Sequence, residues 1–141
     1  MGLLLADIRD ADRLELRRAS RRSLDAILRD SFALSEHTYA GLVDDKLVAL
    51  FGVTPLSRLT GYGVPWLIST NHMASHGIHV LRHSKRITQI WMREFSILRN
   101  YVDADNAAAI RWLKWLGFDF QEAIPYGRRG EAFYPFEMRK Q

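Results

Sequence analysis

Four histidines near the middle of the chain are spaced four, three and four residues apart. They are His72, His76, His79 and His83. In an unbroken helix all four would share one face, an arrangement that suits a metal bound by imidazoles. Asn71 and Gly77 argue against an unbroken helix, and no carboxylate accompanies the group. We therefore expect a polar loop and helix start with a pH-sensitive charge, and no metal site.

A basic run overlaps the last histidine and offers a different chemistry. Its members are Arg82, His83, Ser84, Lys85 and Arg86. Cationic side chains form charge-assisted hydrogen bonds to phosphates, and the N-terminus of a helix also attracts anions. The run is thus a candidate phosphate site. The alternatives are a solvated first turn or a docking surface for an acidic partner.

Length and composition predict one ordinary globular domain over residues 1–141. Hydrophobic residues make up 48% of the chain and charged residues 26%, which is typical of a folded domain. The absence of cysteine excludes disulfides, a thiolate zinc site and a cysteine nucleophile, and favours a reducing compartment. The segment Gly2–Ala6 is too short for a signal peptide, and no apolar run is long enough to span a membrane.

The net charge of +4 and the pI near 9.7 favour anionic partners. The most compact basic run is 17–22, which lies in a predicted helix that also carries Asp12, Glu15, Asp25 and Asp30. We interpret it as a solvated helix face, with a nucleic-acid-binding stripe as the alternative.

Hydrophobic periodicity predicts an α/β protein with a mixed sheet flanked by helices. In the first half of the chain, the predicted elements are a strand over Leu3–Ile8, one long or two shorter helices from Asp10 with a break near Ser20–Arg22, and a hairpin of His37–Val43 and Lys46–Val53 around Asp44 and Asp45. A loop over Thr54–Gly63, a strand over Val64–Ser69 and an irregular stretch over Thr70–Gly77 follow. The second half is predicted to contain a helix over Ile78–Phe95, a strand over Ile97–Val102, a helix within Asp103–Leu116, and two closing strands, Phe118–Ile124 and Ala132–Met138. Pro65 restricts its strand to an early or edge position.

The segment from Asn106 to Phe118 is consistent with a helix and its two ends. Asn106 is a good N-cap, and Gly117 supplies the left-handed residue that ends a helix. Trp112 and Trp115 lie three residues apart beside Ile110 and Leu113, so nearly all of the helix surface is apolar. The helix is either deeply packed or part of a protein–protein interface with tryptophan anchors.

The same segment resembles the Asn-x-x-Ala-Ile…Leu-Gly-Phe signature of GNAT-type N-acyltransferases. The residues that carry the resemblance are Asn106, Ala109, Ile110, Leu116, Gly117 and Phe118. The resemblance implies two splayed parallel strands, here Val64–Ser69 and Ile97–Val102, with acetyl-CoA in the gap between them. It also implies that the next helix, beginning near Ile78 to Arg82, points its N-terminus at the pyrophosphate. Its cofactor-binding residues would then be Arg82, His83, Ser84, Lys85, Arg86 and Asn106.

Two features depart from the family pattern. Its phosphate loop, Gln/Arg-x-x-Gly-x-Gly/Ala, does not occur between Ser69 and Thr88, and Leu113 stands at the position of its usual general-acid tyrosine. Tyr101 and Tyr126 are candidate substitutes for the acid. Candidate general bases are Glu36, Glu94 and Glu122, and the sequence does not rank them.

A second resemblance is narrower. The segments 81–84, 98–102 and 110–117 are similar to a family of small GNAT-like proteins of T7-type tailed bacteriophages. That resemblance implies an internal virion or assembly role, phage virion proteins as partners, and a place in the infected bacterial cytoplasm and the virion. Three hypotheses follow: a phage assembly protein, an acetyl-CoA-dependent N-acyltransferase that modifies a host or phage protein, and a basic nucleic-acid-binding module.

Overall fold

A computed structural model describes residues 8–35, 37–57, 59–71 and 73–140. The side chains of residues 24, 25, 28, 31, 32, 37 and 74–77 lie outside that description. In chain order, the elements are α1 (Asp10–Ala19), α2 (Leu24–Leu34), β1 (His37–Val43), β2 (Lys46–Ser57), β3 (Tyr62–Ser69), α3 (Met73–Glu94), β4 (Ile97–Asp103), α4 (Ala107–Leu116), β5 (Asp119–Phe120), β6 (Ile124–Pro125) and β7 (Ala132–Arg139).

The strands form one mixed sheet, as the sequence predicts. The strand order is β1-β2-β3-β4-β7-β5, and β6 pairs with β7 outside that path. Strands β3 and β4 are parallel to each other, and the other pairings are antiparallel. A parallel neighbour needs a crossover connection, and α3 supplies it.

Two apolar clusters hold the sheet to its helices. The larger one joins Phe51 and Leu98 of the sheet to Trp91 and Phe95 of α3 and to Trp112 of α4. The smaller one joins Ile8, Leu50 and Ile68, with Leu16 of α1 packed against it. Phe51 belongs to the larger cluster and its neighbour Leu50 to the smaller one. Because neighbouring residues of a strand point to opposite faces, the two clusters lie on opposite faces of the sheet.

The order of helices and strands in the N-terminal half matches the prediction, except that most of the predicted first strand is untested. The break near Ser20–Arg22 separates two helices, so the second of the two alternatives, two shorter helices, is the one observed. The hairpin is also confirmed, with Asp44 and Asp45 both in the left-handed region at φ 50° and 62°. Of the predicted first strand, residues 3–7 lie outside the described ranges, and Ile8 forms a single antiparallel bridge with Thr70.

The loop predicted over Thr54–Gly63 is shorter than expected. Strand β2 continues to Ser57 and pairs with β3 through Thr54↔Val64 and Pro55↔Gly63. Pro55 suggested a loop because proline cannot donate to a ladder, but the register shifts between Pro55 and Ser57. A local irregularity of this kind accommodates a proline within a strand.

The predicted start of the third helix, and the irregular stretch before it, are wrong. Helix α3 begins at Met73, whose N–H donates to the carbonyl oxygen of Thr70 at 3.1 Å. Gly77 is therefore inside the helix. An isolated glycine weakens a helix by only about 1 kcal/mol, so tertiary packing readily outweighs it.

Helix α4 has the ends that the sequence predicts. The side-chain oxygen of Asn106 accepts from the Ala109 N–H at 3.4 Å, and Gly117 has φ 104°. Phe118 returns to the core and packs edge-on against Phe136. None of the helices in the described ranges is long and apolar enough to cross a bilayer.

Candidate functional site

The two parallel strands separate along their length and leave a gap in the middle of the sheet. They pair only at Tyr62↔Ile97 and Gly63↔Leu98, near their N-terminal ends. Gly63 marks the narrow end, where a Cβ would approach Phe95 to 2.8 Å. The splay implied by the resemblance is therefore present, with β3 and β4 as its sides.

The side chain of Asn100 crosses the gap just beyond the paired end. Its Nδ2 donates to the carbonyl oxygen of Pro65 at 2.7 Å, and its Oδ1 accepts from the Tyr101 N–H at 2.8 Å. Position 65 faces the gap, where a backbone N–H would have no partner strand, and proline has no N–H. A central strand therefore tolerates Pro65, which was predicted to need an early or edge position. The alternation of β3 turns the N–H and C=O of Leu67 towards the same gap.

Two carboxylates of helix α1 close the wide end of the gap. Asp12 Oδ2 accepts from the Ser69 N–H at 2.9 Å and from the Ser69 hydroxyl at 2.7 Å. Glu15 Oε1 accepts from the Asp103 N–H at 2.9 Å. Since Asp12 and Glu15 lie three residues apart on one helix face, α1 spans the two strand ends and satisfies a backbone donor on each.

Asn106 ties these carboxylates to helix α4. Its Nδ2 donates to Asp12 Oδ1 at 3.0 Å and to Glu15 Oε1 at 3.2 Å. Its Oδ1 accepts from Arg9 Nη2 at 3.2 Å in addition to capping the helix. Asn106, placed among the cofactor-binding residues by resemblance, is thus buried in the structure and fully engaged by protein groups.

Guanidinium groups neutralise two of the carboxylates at this end. Arg9 Nη2 lies 2.9 Å from Asp12 Oδ1. Arg18 Nη1 lies 3.0 Å from Asp103 Oδ2 and 2.8 Å from Asp105 Oδ2. Asp12 and Asp103 are almost completely buried, so the Arg9–Asp12 and Arg18–Asp103 pairs are screened by solvent less than the exposed Arg18–Asp105 pair is.

A loop from the C-terminal half holds the end of helix α1 in place. Arg128 donates its N–H to the carbonyl oxygen of Arg18 at 2.7 Å and its Nε to that of Arg17 at 2.8 Å. A cation at a helix C-terminus also interacts favourably with the helix dipole. The loop after β6 therefore fixes the helix that carries Asp12 and Glu15.

A cavity of about 130 Å³ lies within the gap. Its walls are mainly apolar, with Leu67 and Trp112 among them, and its polar walls include Glu15, Asn100 and Tyr101. A dry cavity of roughly 150 Å³ takes a benzene molecule, so this smaller cavity has room for a group of a few non-hydrogen atoms.

Burial raises the pKa of Glu15 to about 7, from an ordinary value of 4.5. The negative charges of Asp12 and Asp103 raise it further, while hydrogen bonds from the Asp103 backbone and Asn106 oppose the rise. A carboxyl group with a pKa near neutrality can exchange protons at physiological pH, as general acid–base catalysis requires.

The two predicted tyrosines lie together beside this cavity. The rings of Tyr101 and Tyr126 stack with centroids 4.1 Å apart and an interplanar angle of 11°. Tyr101 lines the cavity, whereas Tyr126 covers Tyr101 from the loop and packs against Phe133. Burial raises the pKa of Tyr126, and the Tyr101 and Tyr62 phenols add to the rise. Of the pair, Tyr101 is the one with access to the gap.

The basic run predicted to bind phosphate does not start a helix. Arg82 is nine residues beyond Met73, so it lies about 14 Å along α3 from its first residue. Arg82, His83, Lys85 and Arg86 are exposed there. Ser84 is buried: its hydroxyl donates to the Leu81 carbonyl and accepts from Trp112 Nε1 at 3.0 Å.

The other predicted acid–base and metal candidates do not meet at the gap. Glu94 is exposed at the last residue of α3, Glu122 is exposed after β5, and Glu36 lies outside the described residues. His79 and His83 line a separate groove of about 630 Å³ beside β1, while His72 and the His76 side chain fall outside the description. Within the described residues, no group of three histidine, aspartate or glutamate side chains is placed to hold a metal.

The basic end of helix α1 is partly neutralised within the chain. Arg18 pairs with Asp103 and Asp105, and Arg22 pairs with Asp30. Arg17 and Arg21 are exposed. The nucleic-acid-binding alternative stays a prediction.

Sequence reasoning missed the two carboxylates that matter most. Asp12 and Glu15 were assigned to a solvated, mixed-sign helix face, yet Asp12 is among the most buried polar residues. Their spacing of three residues was visible, but their hydrogen-bond partners Ser69, Asp103 and Asn106 are at least 57 positions away in the chain. Only the fold brings them together.

No protein-family model matches this chain, and no curated protein matches it. Solved structures do: 179 chains resemble its fold. A ribosomal-protein-alanine N-acetyltransferase from Brucella melitensis has a TM-score of 0.63 at 14% identity, over 82% of this chain and 75% of the other.

Two further matches agree with it. Spermidine N-acetyltransferase from Vibrio cholerae, in complex with CoA and spermine, has a TM-score of 0.65 at 10% identity over 83% of this chain and 73% of that one. A GNAT-family acetyltransferase from Streptococcus pneumoniae has a TM-score of 0.61 at 15% identity, over 82% and 74%. This chain therefore has the GNAT acetyltransferase fold, and the predicted fold is confirmed. These structures do not bear on a bacteriophage origin.

Proposed function

We propose that this protein is an acyl-CoA-dependent N-acyltransferase whose acyl-binding site is the cavity between β3 and β4. The observation that carries the proposal is the cavity itself. It interrupts the sheet at the parallel pair, it is lined by apolar groups, and a titratable carboxyl, Glu15, forms part of its wall. Ligands of open α/β sheets bind at such points, beyond the carboxyl ends of parallel strands.

The residues present suit one end of an acyl-CoA molecule. The cavity has room for the acyl group and the first atoms of its thioester arm, and the N–H and C=O of Leu67 face the gap as partners for an amide. The carboxylates of Asp12, Glu15 and Asp103 at the wide end do not suit phosphates. The phosphates would therefore lie outside the cavity, and the exposed cations of α3 would pair with them there.

Bound acyl-CoA would supply an activated thioester. The chain's own residues would hold the acyl group in an apolar space, exclude water through Trp112 and Leu116, and accept a proton beside it. Tyr101 stays a candidate proton donor because it is among the residues that line the same space.

Calorimetric titration with acetyl-CoA tests this proposal through a matched pair of variants. Ala109 is buried on the cavity wall, whereas Ala107 is exposed at the start of the same helix. Ala109→Leu adds three carbons to the cavity, so we expect at least a tenfold loss of acetyl-CoA affinity. Ala107→Leu should bind as the parent does.

The proposal is wrong if the folded parent protein shows no heat with millimolar acetyl-CoA. It is also wrong if Ala109→Leu binds as tightly as the parent, since the ligand would then lie elsewhere. A thermal melt of each variant confirms that it is folded before titration.

A second candidate is a non-catalytic assembly role, which the resemblance to bacteriophage proteins implies. One observation favours it: the chain's own side chains bridge the gap at Asn100 and close it at Asp12, Glu15 and Asn106. If the protein unfolds cooperatively but shows no binding of acetyl-CoA by calorimetry, that result would favour this candidate.

A further inference from the structure

Helices α3 and α4 present a strongly basic surface to solvent. Together they carry six basic residues and one acidic residue, so their net charge of +5 exceeds the +4 of the whole chain. Within the described ranges, none of the six pairs with a carboxylate. We call the six, together with Trp115 of α4, the basic face. Its exposed cations are Arg82, Lys85, Arg86 and Arg93 of α3, and Arg111 and Lys114 of α4.

The four cations of α3 follow one side of the helix. Arg86 comes four residues after Arg82, Arg93 comes seven after Arg86, and Lys85 lies three from Arg82. Residues at these spacings share one side of a helix, and the core residue Trp91 lies on the opposite side. From Arg82 to Arg93 the row is about 16 Å long. It can therefore follow the backbone of an extended polyanion past several charges.

Trp115 joins this row to helix α4. Lys85 Nζ lies 4.7 Å from the centroid of the Trp115 ring, and Trp115 is 46% exposed. The other three tryptophans, Trp66, Trp91 and Trp112, are half-buried or buried. Proteins that bind single strands combine cations along the backbone with aromatic rings on which bases stack. The basic face has both parts of that combination.

We infer that the basic face binds single-stranded nucleic acid, with phosphates on its cations and a base stacked on Trp115. A single strand fits better than a duplex, whose bases already stack on one another, and better than an acidic protein, which has no bases. The inference is independent of the proposed acyltransferase function. That function uses only the cations of α3 for phosphates, whereas a bound strand also needs Arg111, Lys114 and Trp115 of α4.

Fluorescence anisotropy with a labelled oligo(dT) of about 20 nucleotides, without acetyl-CoA, tests this inference. Contacts to three or four phosphates would lower the affinity roughly 20- to 50-fold as salt rises from about 50 to about 200 mM. Binding should also quench the tryptophan emission of the protein, because Trp115 is exposed. Oligo(rU) should bind with similar affinity, since phosphate contacts and stacking do not distinguish the two sugars.

Two charge-reversed proteins form a matched pair for this measurement. Arg111→Glu/Lys114→Glu alters the basic face. Arg17→Glu/Arg21→Glu alters two exposed arginines near the end of α1, which packs on the other face of the sheet. Both change the net charge equally, but charges beyond a Debye length are largely screened. We expect the first protein to lose affinity at least about tenfold, with a flatter salt dependence, and the second to lose less than about threefold.

Substitution of Trp115 separates stacking from charge, since it leaves the cations in place. Trp115→Ala should lower the affinity for oligo(dT) at least about fivefold, the lower end of the range for one stacked base. Trp115→Phe retains an aromatic ring and should bind within about threefold of the parent. A thermal melt of each variant confirms that it is folded.

Several outcomes would overturn the inference. Failure of the parent to bind oligo(dT), or equal losses in the two charge-reversed proteins, would exclude a site on the basic face. Parental affinity in Trp115→Ala would exclude stacking. Equally tight binding of polyglutamate or of a duplex would assign the surface to an acidic protein or to double-stranded nucleic acid. None of these results bears on acetyl-CoA binding, so the two proposals fail separately.

Discussion

At the scale of single residues, the free energy of unfolding depends on the protonation state of Glu15. Glu15 is a carboxyl group whose pKa is raised to about 7 by burial. The folded state therefore binds this proton more tightly than the unfolded state does, and protonation favours folding. That contribution is complete below pH 4.5 and is lost as the pH rises through 7.

We predict that Glu15→Gln is more stable than the parent at pH 8 and equally stable at pH 4.5. A glutamine stays neutral and keeps an acceptor oxygen for the Asp103 N–H and Asn106. The gain in free energy of unfolding at pH 8 should be on the order of 1–3 kcal/mol. Urea unfolding at the two pH values measures it.

Glu122→Gln is the control for that comparison, because Glu122 is exposed. It should match the parent at both pH values. A Glu15→Gln variant less stable than the parent at pH 8 would contradict the account of a destabilised carboxylate.

A substitution at Asn106 tests the same hydrogen-bond network, because Asn106 Nδ2 is the donor to Asp12 and Glu15. An aspartate at position 106 retains an N-cap oxygen but removes the Nδ2 donor and places a third carboxylate beside Asp12 and Glu15. We predict that Asn106→Asp lowers the free energy of unfolding at pH 7 by about 3 kcal/mol or more, well beyond the roughly 1 kcal/mol of a lost cap.

Asp105→Asn is the control for that variant, since Asp105 is exposed and adjacent. It should cost less than about 1 kcal/mol. A small effect of Asn106→Asp, comparable to this control, would mean that the buried amide is not a required donor.

At the scale of elements, helix α1 acts as a brace across two diverging strands. Asp12 satisfies the end of β3, Glu15 satisfies the end of β4, and Arg18 pairs with Asp103. The brace replaces the ladder hydrogen bonds that the separated strands cannot make with each other. Removing Arg18 should therefore leave the buried carboxylate of Asp103 without its cation.

We predict that Arg18→Ala lowers the free energy of unfolding clearly more than Arg17→Ala does, because it leaves the buried carboxylate of Asp103 without its cation. Arg17→Ala removes an exposed arginine one position away and should change it by less than about 0.5 kcal/mol. Denaturant melts at pH 7 measure both. Equal effects of the two substitutions would contradict the brace.

Local signals predicted some elements and failed at others for a physical reason. The ends of α4 were predictable because Asn106 and Gly117 act within a few residues of the helix. The start of α3 and the end of β2 were not, because Gly77 and Pro55 carry local penalties that packing and sheet pairing outweigh. Local propensity sets the end of a helix or strand where no contact with residues distant in the chain opposes it.

At the scale of the whole molecule, the gap between β3 and β4 is a consequence of the fold. The order of the elements along the chain was predicted from hydrophobic periodicity, and the splayed parallel pair from the resemblance carried by Asn106 to Phe118. The closure of the gap by Asp12 and Glu15 was not, since it joins residues far apart in the chain. The candidate site is therefore the part of the molecule that sequence patterns describe least well.

Release of free thiol from acetyl-CoA in the presence of a primary amine is the most direct test of acyl transfer in the gap between β3 and β4. We expect amine-dependent release by the parent protein, at least a tenfold reduction in Ala109→Leu, and parental rates in Ala107→Leu, because Ala109 lines the cavity and Ala107 does not. Release no faster than the spontaneous rate across a panel of primary amines, from protein shown to be folded, would contradict it.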